Sequence, residues 1–443
     1  MIAAGEVAEL LQQLIRNACV NDGTPGSGGE IRSADSLDEF LGIEGERREP
    51  HPGRVSVVYR LPGARRAPTL TFMGHTDVVP VSREGWTVDP FAGERRDGFV
   101  WGRGAIDMLN QTAAMACVFK RFASGSLRYP GDLVFLAVAD EEAGGRLGAR
   151  WLVEDHWPLV ASDYLLTEIG TPALLGRSGP GVPVTVAEKG LQWRRLHTRG
   201  ASGHGSQPYA TDNALVRVAD AVSTLVANPP GPHITDEWRR FVSAWDPPEE
   251  LAADLVDADH IDAAIDRLAV HDVGLARWVH ACTHLTVSPN VMHAGIKANV
   301  IADRAEAQID VRSLPGQDET DVTDHFRKAI GPGFDELGYE VVEASAANGS
   351  PPEGPLWDAI SAATGEVAPG SHLIPAMIPI GTDARFFRRR GTVAYGVGLF
   401  DDRVGFGDFL RMFHGHDERV SEASLGMTAD LYLRTVERLA AQV

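Results

Sequence analysis

Leu70-Thr71-Phe72-Met73-Gly74-His75-Thr76-Asp77 decides the fold: a short apolar run that stops on a histidine and an aspartate. The same grammar returns at Leu133 to Ala139, followed by Asp140-Glu141-Glu142, and at Tyr164-Leu165-Leu166, followed by Thr167-Glu168-Ile169-Gly170. A fourth apolar run spans Val393 to Leu399. Short apolar runs separated by helix-length segments predict an α/β sheet with helices on its faces. Open sheets of this kind bind ligands beyond the carboxyl ends of their strands. An acidic residue after a strand also serves as a helix N-cap, which accounts for any one cluster alone; three in succession favour a site.

Working outward, Val7, Leu10, Leu11, Leu14 and Ile15 follow the spacing of an amphipathic helix. Glu6 and Glu9 inside that segment, and the lack of a basic start, argue against a signal peptide. Gly176 to Pro183 is rich in breakers and is read as a linker closing a first segment, residues 1–181. Strands carrying Trp193 are expected at 184–199, and Leu215, Val218, Val222, Leu225 and Val226 mark a helix that Pro229-Pro230-Gly231-Pro232 ends. Residues 235–282 are acidic and helix-like, with no visible chemistry. Ala305, Ala307, Ile309 and Val311 alternate with Glu306, Gln308, Asp310 and Arg312, a strand with one polar face. Asn348 to Pro352 is a second breaker-rich stretch. Residues 182–346 therefore read as an inserted domain, and 347–443 as the return of the first.

The 443 residues carry 41 Lys and Arg against 61 Asp and Glu, a net charge of −20. That balance, without a sizeable basic patch, excludes nucleic acid as a partner. A 44% hydrophobic content fits a folded globular chain. No run approaches the roughly 18 apolar residues of a membrane span. Three cysteines without close spacing offer neither a disulfide framework nor a thiolate zinc site, so a reducing, cytoplasmic setting is expected.

Serine chemistry lacks its nucleophile elbow, because Ser202-Gly203 is followed by His204 and Ser178-Gly179 by Pro180. Cys117 sits in a helix-like stretch and reads as a buried structural thiol. Gly102-Arg103-Gly104 fails as a dinucleotide fingerprint, since Asp107 occupies its third glycine position. Metal-assisted hydrolysis fits, because imidazole and carboxylate are the ligands a zinc-like ion takes when no thiolates are offered. His75 and Asp77 lie two apart at a strand end, so one can bind metal while the other orients it. Asp107 follows in a glycine-loosened loop. Of the adjacent Glu141 and Glu142, one can hold metal while the other acts as general base, and Glu168 closes the third strand. His75, Asp107, Glu142 and Glu168 are 32, 35 and 26 residues apart, each about one strand–helix unit, which sets them side by side across the sheet.

GHTDVVP (74–80), GRGAIDM (102–108), DEEAGG (140–145), TEIG (167–170) and FHGHDERV (413–420) resemble, in order, the motifs of the acetylornithine deacetylase, succinyl-diaminopimelate desuccinylase, glutamate carboxypeptidase and aminoacylase family, the clan MH zinc exopeptidases and amidohydrolases. The resemblance implies an α/β catalytic domain, zinc-exopeptidase-like, with helices on both faces of a mixed sheet, interrupted by a smaller α+β lid and dimerisation domain. It implies two divalent ions, zinc by default with cobalt or manganese able to substitute, bridged by Asp107. His75 and Glu168 would complete one site, Glu142 and His414 the other, His414 rather than His416 because Glu418 follows four residues later. Asp77 would orient His75, and Glu141 would be the general base. The bond Asp107-Met108 would be cis.

By the same resemblance, His204 in GASGHGSQPYATDNA (200–214) contacts the transition-state oxygen, in some members from a partner subunit. Asn299 and Arg312 hold the substrate's carboxylate, against a plain salt bridge from Arg312 to Asp310 or Glu306. Gly381 belongs to a substrate loop, with Ile380 where many relatives have glycine. Arg385, Arg388, Arg389 and Arg390 read as a solvated helix face. The implied reaction is hydrolysis of an amide next to a free carboxylate, in N-acyl amino acids or short peptides, with a homodimer through the lid expected. An aminopeptidase or dipeptidase on the same centre, or a silent binding protein of this fold, are the alternatives.

Overall fold

The computed structural model describes residues 2–64 and 66–442. Its larger sheet is ten-stranded and mixed. At its centre Leu70–His75 lies parallel to both Leu133–Val138 and Tyr164–Thr167, and Tyr164–Thr167 in turn to Val393–Gly396. These strands read as unbroken apolar runs because both their faces are buried. Successive side chains alternate between two cores. Leu133, Phe135 and Ala137 join Phe72 and Tyr59 under the helices Ala4–Arg16, Leu109–Ala123, Pro355–Val367 and Glu422–Ala440. Val134, Leu136 and Val138 join Met73 and Leu165 under Ala149–Asp155 and Ala384–Arg388.

Parallel pairing has a direct consequence for the site. His75 lies opposite Val138, and Phe72 opposite Leu166, so the chain leaves all three strands at one carboxyl edge. The groups following them, Asp77, Asp140-Glu141-Glu142 and Glu168, emerge there together.

A second, four-stranded antiparallel sheet runs in the order Thr286–Ala294, Arg304–Ser313, Gly190–Arg199, Gly338–Ser345. Its inner face packs Leu196, Ile309 and Val311 against the helices Ala214–Ala227 and Glu319–Ile330. Both helices are capped as their sequences dictate. Asn213 accepts from Leu215 N, and Asp318 with Asp321 forms a capping box.

Three details differ from the sequence reading. Gly176 to Pro183 is not a linker but a hairpin: Leu174–Gly176 pairs with the strand Gly179–Glu188, which stays in the larger sheet and lies parallel to His372–Ile378. Gly179 turns with φ +103°, a conformation that favours glycine. The chain crosses to the small sheet at Lys189 and returns after Ser345, with Asn348 and Gly349 pairing Glu188 and Ala187; the expected limits were 181/182 and 346/347.

Second, the acidic segment belongs to the body. Helices Asp236–Trp245 and Val273–Thr283 set Trp238, Phe241, Trp245 and Trp278 into the larger core, with Trp278 stacked edge-on to Phe406 at 5.6 Å. Third, the arginine run is not simply a solvated face. Arg388 is buried and ion-paired to buried Glu188 at 2.6 Å. No described helix is long and apolar enough to cross a membrane.

Candidate metal centre

His75 ends its strand fully buried. Its Nδ1 is 2.9 Å from the Asp77 carbonyl, and its Nε2 points at Asp107 Oδ1 (3.3 Å) and Glu168 Oε2 (3.6 Å). The other oxygen of Asp107, Oδ2, lies 3.2 Å from His414 Nε2, which is also 3.3 Å from Glu142 Oε2. One carboxylate thus faces two imidazoles, each of which has a second carboxylate. Two triads of ligand atoms lie within 4.8 Å, His75–Asp107–Glu142 and His75–Glu141–Glu168, sharing His75. His416 lies apart, edge-on to Trp86 at 6.4 Å. The Asp107-Met108 bond is cis, as expected, and Glu168-Ile169 is cis as well.

The surroundings hold these groups. Asp77 accepts from Asn21 Nδ2 (2.8 Å) and from the backbone N–H of Glu141 (3.3 Å) and Glu142 (3.1 Å), so it fixes the acidic turn as well as standing 3.7 Å from His75 Nδ1. Glu418, fully buried, accepts from Ile106 N (2.7 Å), Asp107 N (3.1 Å) and Arg103 (2.8 Å), which pins the loop carrying Asp107. Beneath the acidic turn, buried Arg54 joins Glu30 (2.5 Å) and Asp140 (3.1 Å).

The electrostatics are those of a site short of positive charge. Burial, with Glu168 nearby, pushes Glu141 well up, and burial with Asp107 pushes Glu142 to about 7. Burial raises Glu168 too. Burial would also raise Asp107, but hydrogen bonds from His414 and His75 hold it below the usual carboxylate range. Hydrogen bonds to Asp107 and Glu142 raise His414 to about 10, and those to Asp107 and Glu168 overcome burial to raise His75. Glu142 Oε1 is buried with no hydrogen-bond partner. A crowded carboxylate set with an orphaned buried oxygen fits divalent cations, which supply the missing charge and take the free lone pair.

Sequence reasoning missed Asn21, and treated Glu418 as a spacing marker only. It also passed over Asp383, whose carboxyl is buried, unpartnered and pushed to about 8 by burial, with Glu168 adding to the shift. Asn21 lies outside every motif, whereas Glu418 sits within FHGHDERV and Asp383 two residues after Gly381, where position alone does not reveal the hydrogen bonding of the one or the burial of the other.

The lid residues are placed differently. His204 and Asn299 share one tip of the small domain, where Gly205 N donates to Asn299 O (2.8 Å) and His204 Nδ1 meets Ser206 Oγ (2.7 Å). Both are exposed and neither touches the metal cluster. Arg312 forks onto Asp310 at 2.7 and 3.1 Å, the salt bridge named as its alternative. Gly381 lies in the body, in the loop whose Thr382 binds Glu188.

A sheet whose strand ends gather two triads sharing a histidine defines a metal-dependent hydrolase of the dinuclear type. The chain belongs to Peptidase family M20/M25/M40, whose profile matches residues 71–438. It is 34% identical over 228 residues to a succinyl-diaminopimelate desuccinylase of Rhodospirillum centenum, covering 50% of this chain and 56% of that one. It is 26% identical over 444 residues to aminoacylase-1B of Rattus norvegicus, covering 97% and 94%. Among solved structures, the M20 family metallo-carboxypeptidase Sso-CP2 of Sulfolobus solfataricus superposes with a TM-score of 0.73 at 16% identity, over 98% of this chain and 99% of that one. Human carnosine dipeptidase 1 does so at 0.71 and 16%, over 99% and 96%. At that identity these structures speak for the fold alone.

Proposed function

We propose that this hydrolase cleaves an amide next to a free carboxylate, in N-acyl amino acids or short peptides. His75, Asp107 and Glu168 would hold one ion, and Asp107, Glu142 and His414 the other. The observation that carries this reading is Asp107, whose two oxygens face two histidines at 3.3 and 3.2 Å. Zinc suits such a nitrogen and oxygen set, with cobalt or manganese as substitutes. When bound, a pair of ions acidifies a water and polarises the scissile carbonyl. Glu141, outside the His414 contacts and raised by burial, takes the water's proton and returns it to the leaving nitrogen.

The division of labour follows the sheets. Residues 2–188 and 348–442, with the helices of 235–283, form the catalytic body; the small sheet and its two helices form the lid. Closure of the lid, from this chain or a second copy, brings His204 to the developing oxyanion and Asn299 with Arg312 to the carboxylate, while Gly381 flanks the substrate. Arg312 then exchanges Asp310 for the substrate, a task its planar fork suits. A homodimer through the lid is supported by the edge strand Thr286–Ala294, which leaves Val291 and Met292 exposed. A cytoplasmic setting is the reading that three free, buried cysteines support. A dipeptidase reading draws on Asp383, an unpartnered carboxyl suited to an α-ammonium.

The test is a panel of N-acyl amino acids and dipeptides, with and without chelator. Hydrolysis lost on chelation and restored by zinc is expected; turnover indifferent to chelator would overturn the reading. Preference for free-amine dipeptides over N-acyl substrates would favour Asp383 over Arg312 as anchor.

A further inference from the structure

We propose that the recess between the inserted helix Val273–Thr283 and the ligand-bearing loops binds an uncharged alkyl or aryl acyl group of the substrate, an inference that rests on the amidohydrolase reading above. The recess holds about 290 Å³ and is walled by Ile169, Trp278, Ile378, Ile380, Leu410 and Phe413. Three of these place it at the reaction. Ile169 follows Glu168, Phe413 precedes His414, and Ile380 precedes Gly381. Consecutive Cα atoms are no more than about 3.8 Å apart, so its walls begin one residue from two of the proposed ligands.

Its chemistry selects the occupant. A concave, mostly apolar recess of this size beside a catalytic centre has the size and lining of a small-molecule site. No carboxylate lines it, which leaves an ammonium without a counter-charge. Its cations, Arg277 and Arg411, are exposed; Arg411 is paired with Asp408. Beyond them its side-chain polar group is the buried hydroxyl of Thr171, too little to offset the desolvation of a carboxylate.

The position also decides which half of the substrate enters. Asn299 and Arg312, assigned to the carboxylate half, belong to the lid, whereas every wall of the recess belongs to the body. The acyl half is what remains for it. The inserted helix is held rigidly for this purpose. Trp278 is packed between Phe241 (4.8 Å) and Phe406 (5.6 Å), and Lys189 Nζ, at the crossing into the lid, donates to the carbonyls of Ala281 and His284, both at 2.7 Å. The segment 235–283, which shows no chemistry in its sequence, thereby acquires a role as the wall that reads the acyl chain.

The test uses the zinc-loaded protein with one amino acid acylated by acetyl, butyryl, hexanoyl, benzoyl and succinyl groups. Each methylene buried in an apolar site strengthens binding about three- to fourfold, so kcat/KM should climb about a hundredfold from acetyl to hexanoyl, with butyryl preferred over succinyl. Ala281→Phe, filling the recess, and Ile380→Asp, charging its rim where Ile380 is 39% exposed, should each flatten that slope. Two variants are used so that one misfolded protein does not decide the matter; metal content and circular dichroism qualify each. A flat slope in the unaltered protein, a preference for succinyl, or a slope that survives both substitutions overturns the proposal. If N-acyl amino acids are hydrolysed without regard to length, the recess alone is refuted. If none is hydrolysed by the metal-loaded protein, the amidohydrolase reading falls and takes the recess with it.

Discussion

Glu141→Gln isolates the proton-transfer step from the metal centre. Glutamine keeps the size of the side chain and leaves intact the backbone N–H that donates to Asp77 Oδ1 at 3.3 Å, so the acidic turn should retain its shape. What it removes is a carboxylate whose affinity for a proton is pushed up by burial and by Glu168, the direction a base working near neutrality requires. General-base catalysis is worth about 10²- to 10⁴-fold, or about 2.7 to 5.4 kcal/mol of barrier. The five proposed ligands are untouched, so both ions should stay. We therefore expect kcat to fall by about three orders of magnitude with KM changed less than tenfold. The assay is steady-state hydrolysis of an N-acyl amino acid, with metal measured by mass spectrometry on the same preparation. Turnover within tenfold of the unaltered protein would refute the reasoning. Loss of an ion would refute it differently, by making Glu141 a ligand, as its place in the His75–Glu141–Glu168 triad permits.

Three further outcomes are expected. Asp77→Asn, which weakens the grip on both His75 and the acidic turn, should lower metal affinity or activity about 10- to 100-fold; an unchanged affinity in a chelator competition would mean that Asn21 and the backbone suffice. Metal affinity should rise with pH. In the metal-free site His414 (about 10), His75 (raised) and Glu142 (about 7) carry protons that an ion must displace, so log K should gain about one unit or more per pH unit from 7 to 9 and climb more steeply below 7; a flat profile from pH 6 to 9 would sink the assignment. Phe241→Ala should cost about 3–5 kcal/mol in urea unfolding, because Phe241 joins Trp238 and Trp278 in the body's core; a loss under 1 kcal/mol would mean that segment 235–283 folds separately.

The body was legible because its physics is local. A parallel strand buried on both faces writes a continuous apolar run, and the polar residue that ends it must lie at the sheet's edge. His75, Glu142 and Glu168 could be placed side by side on that argument alone. Asn21 and Glu418 could not, since their work is to accept from or donate to groups 56 and about 311 residues away, and a single Asn or Glu carries no period. The hairpin at 174–188 departs from the linker its sequence suggests for a related reason. Glycine and proline mark a break in regular structure but not its kind, and a hairpin turn takes both. The arginine run reads as solvated because charge favours water; the buried partner Glu188 lies 200 residues away.

The same distinction separates the two halves of the proposed mechanism. The proposed metal binding would draw on groups that one sheet edge and the loops beside it bring within 3.2–3.6 Å of one another. The proposed oxyanion and carboxylate recognition would draw on His204, Asn299 and Arg312: His204 Nδ1 now meets Ser206 Oγ, Arg312 forks onto Asp310, and Asn299 is held through its backbone carbonyl by Gly205 N. Of the three, Arg312 is the one whose recognition group is already engaged, so closing the lid would have it exchange Asp310 for the substrate. For Arg312 that exchange is nearly even, a forked carboxylate for a forked carboxylate, and it gains chiefly when water is excluded at the same moment. In the proposed mechanism Asp310 would compete with the substrate for Arg312, and its fork would set how tightly a substrate must bind before the lid closes.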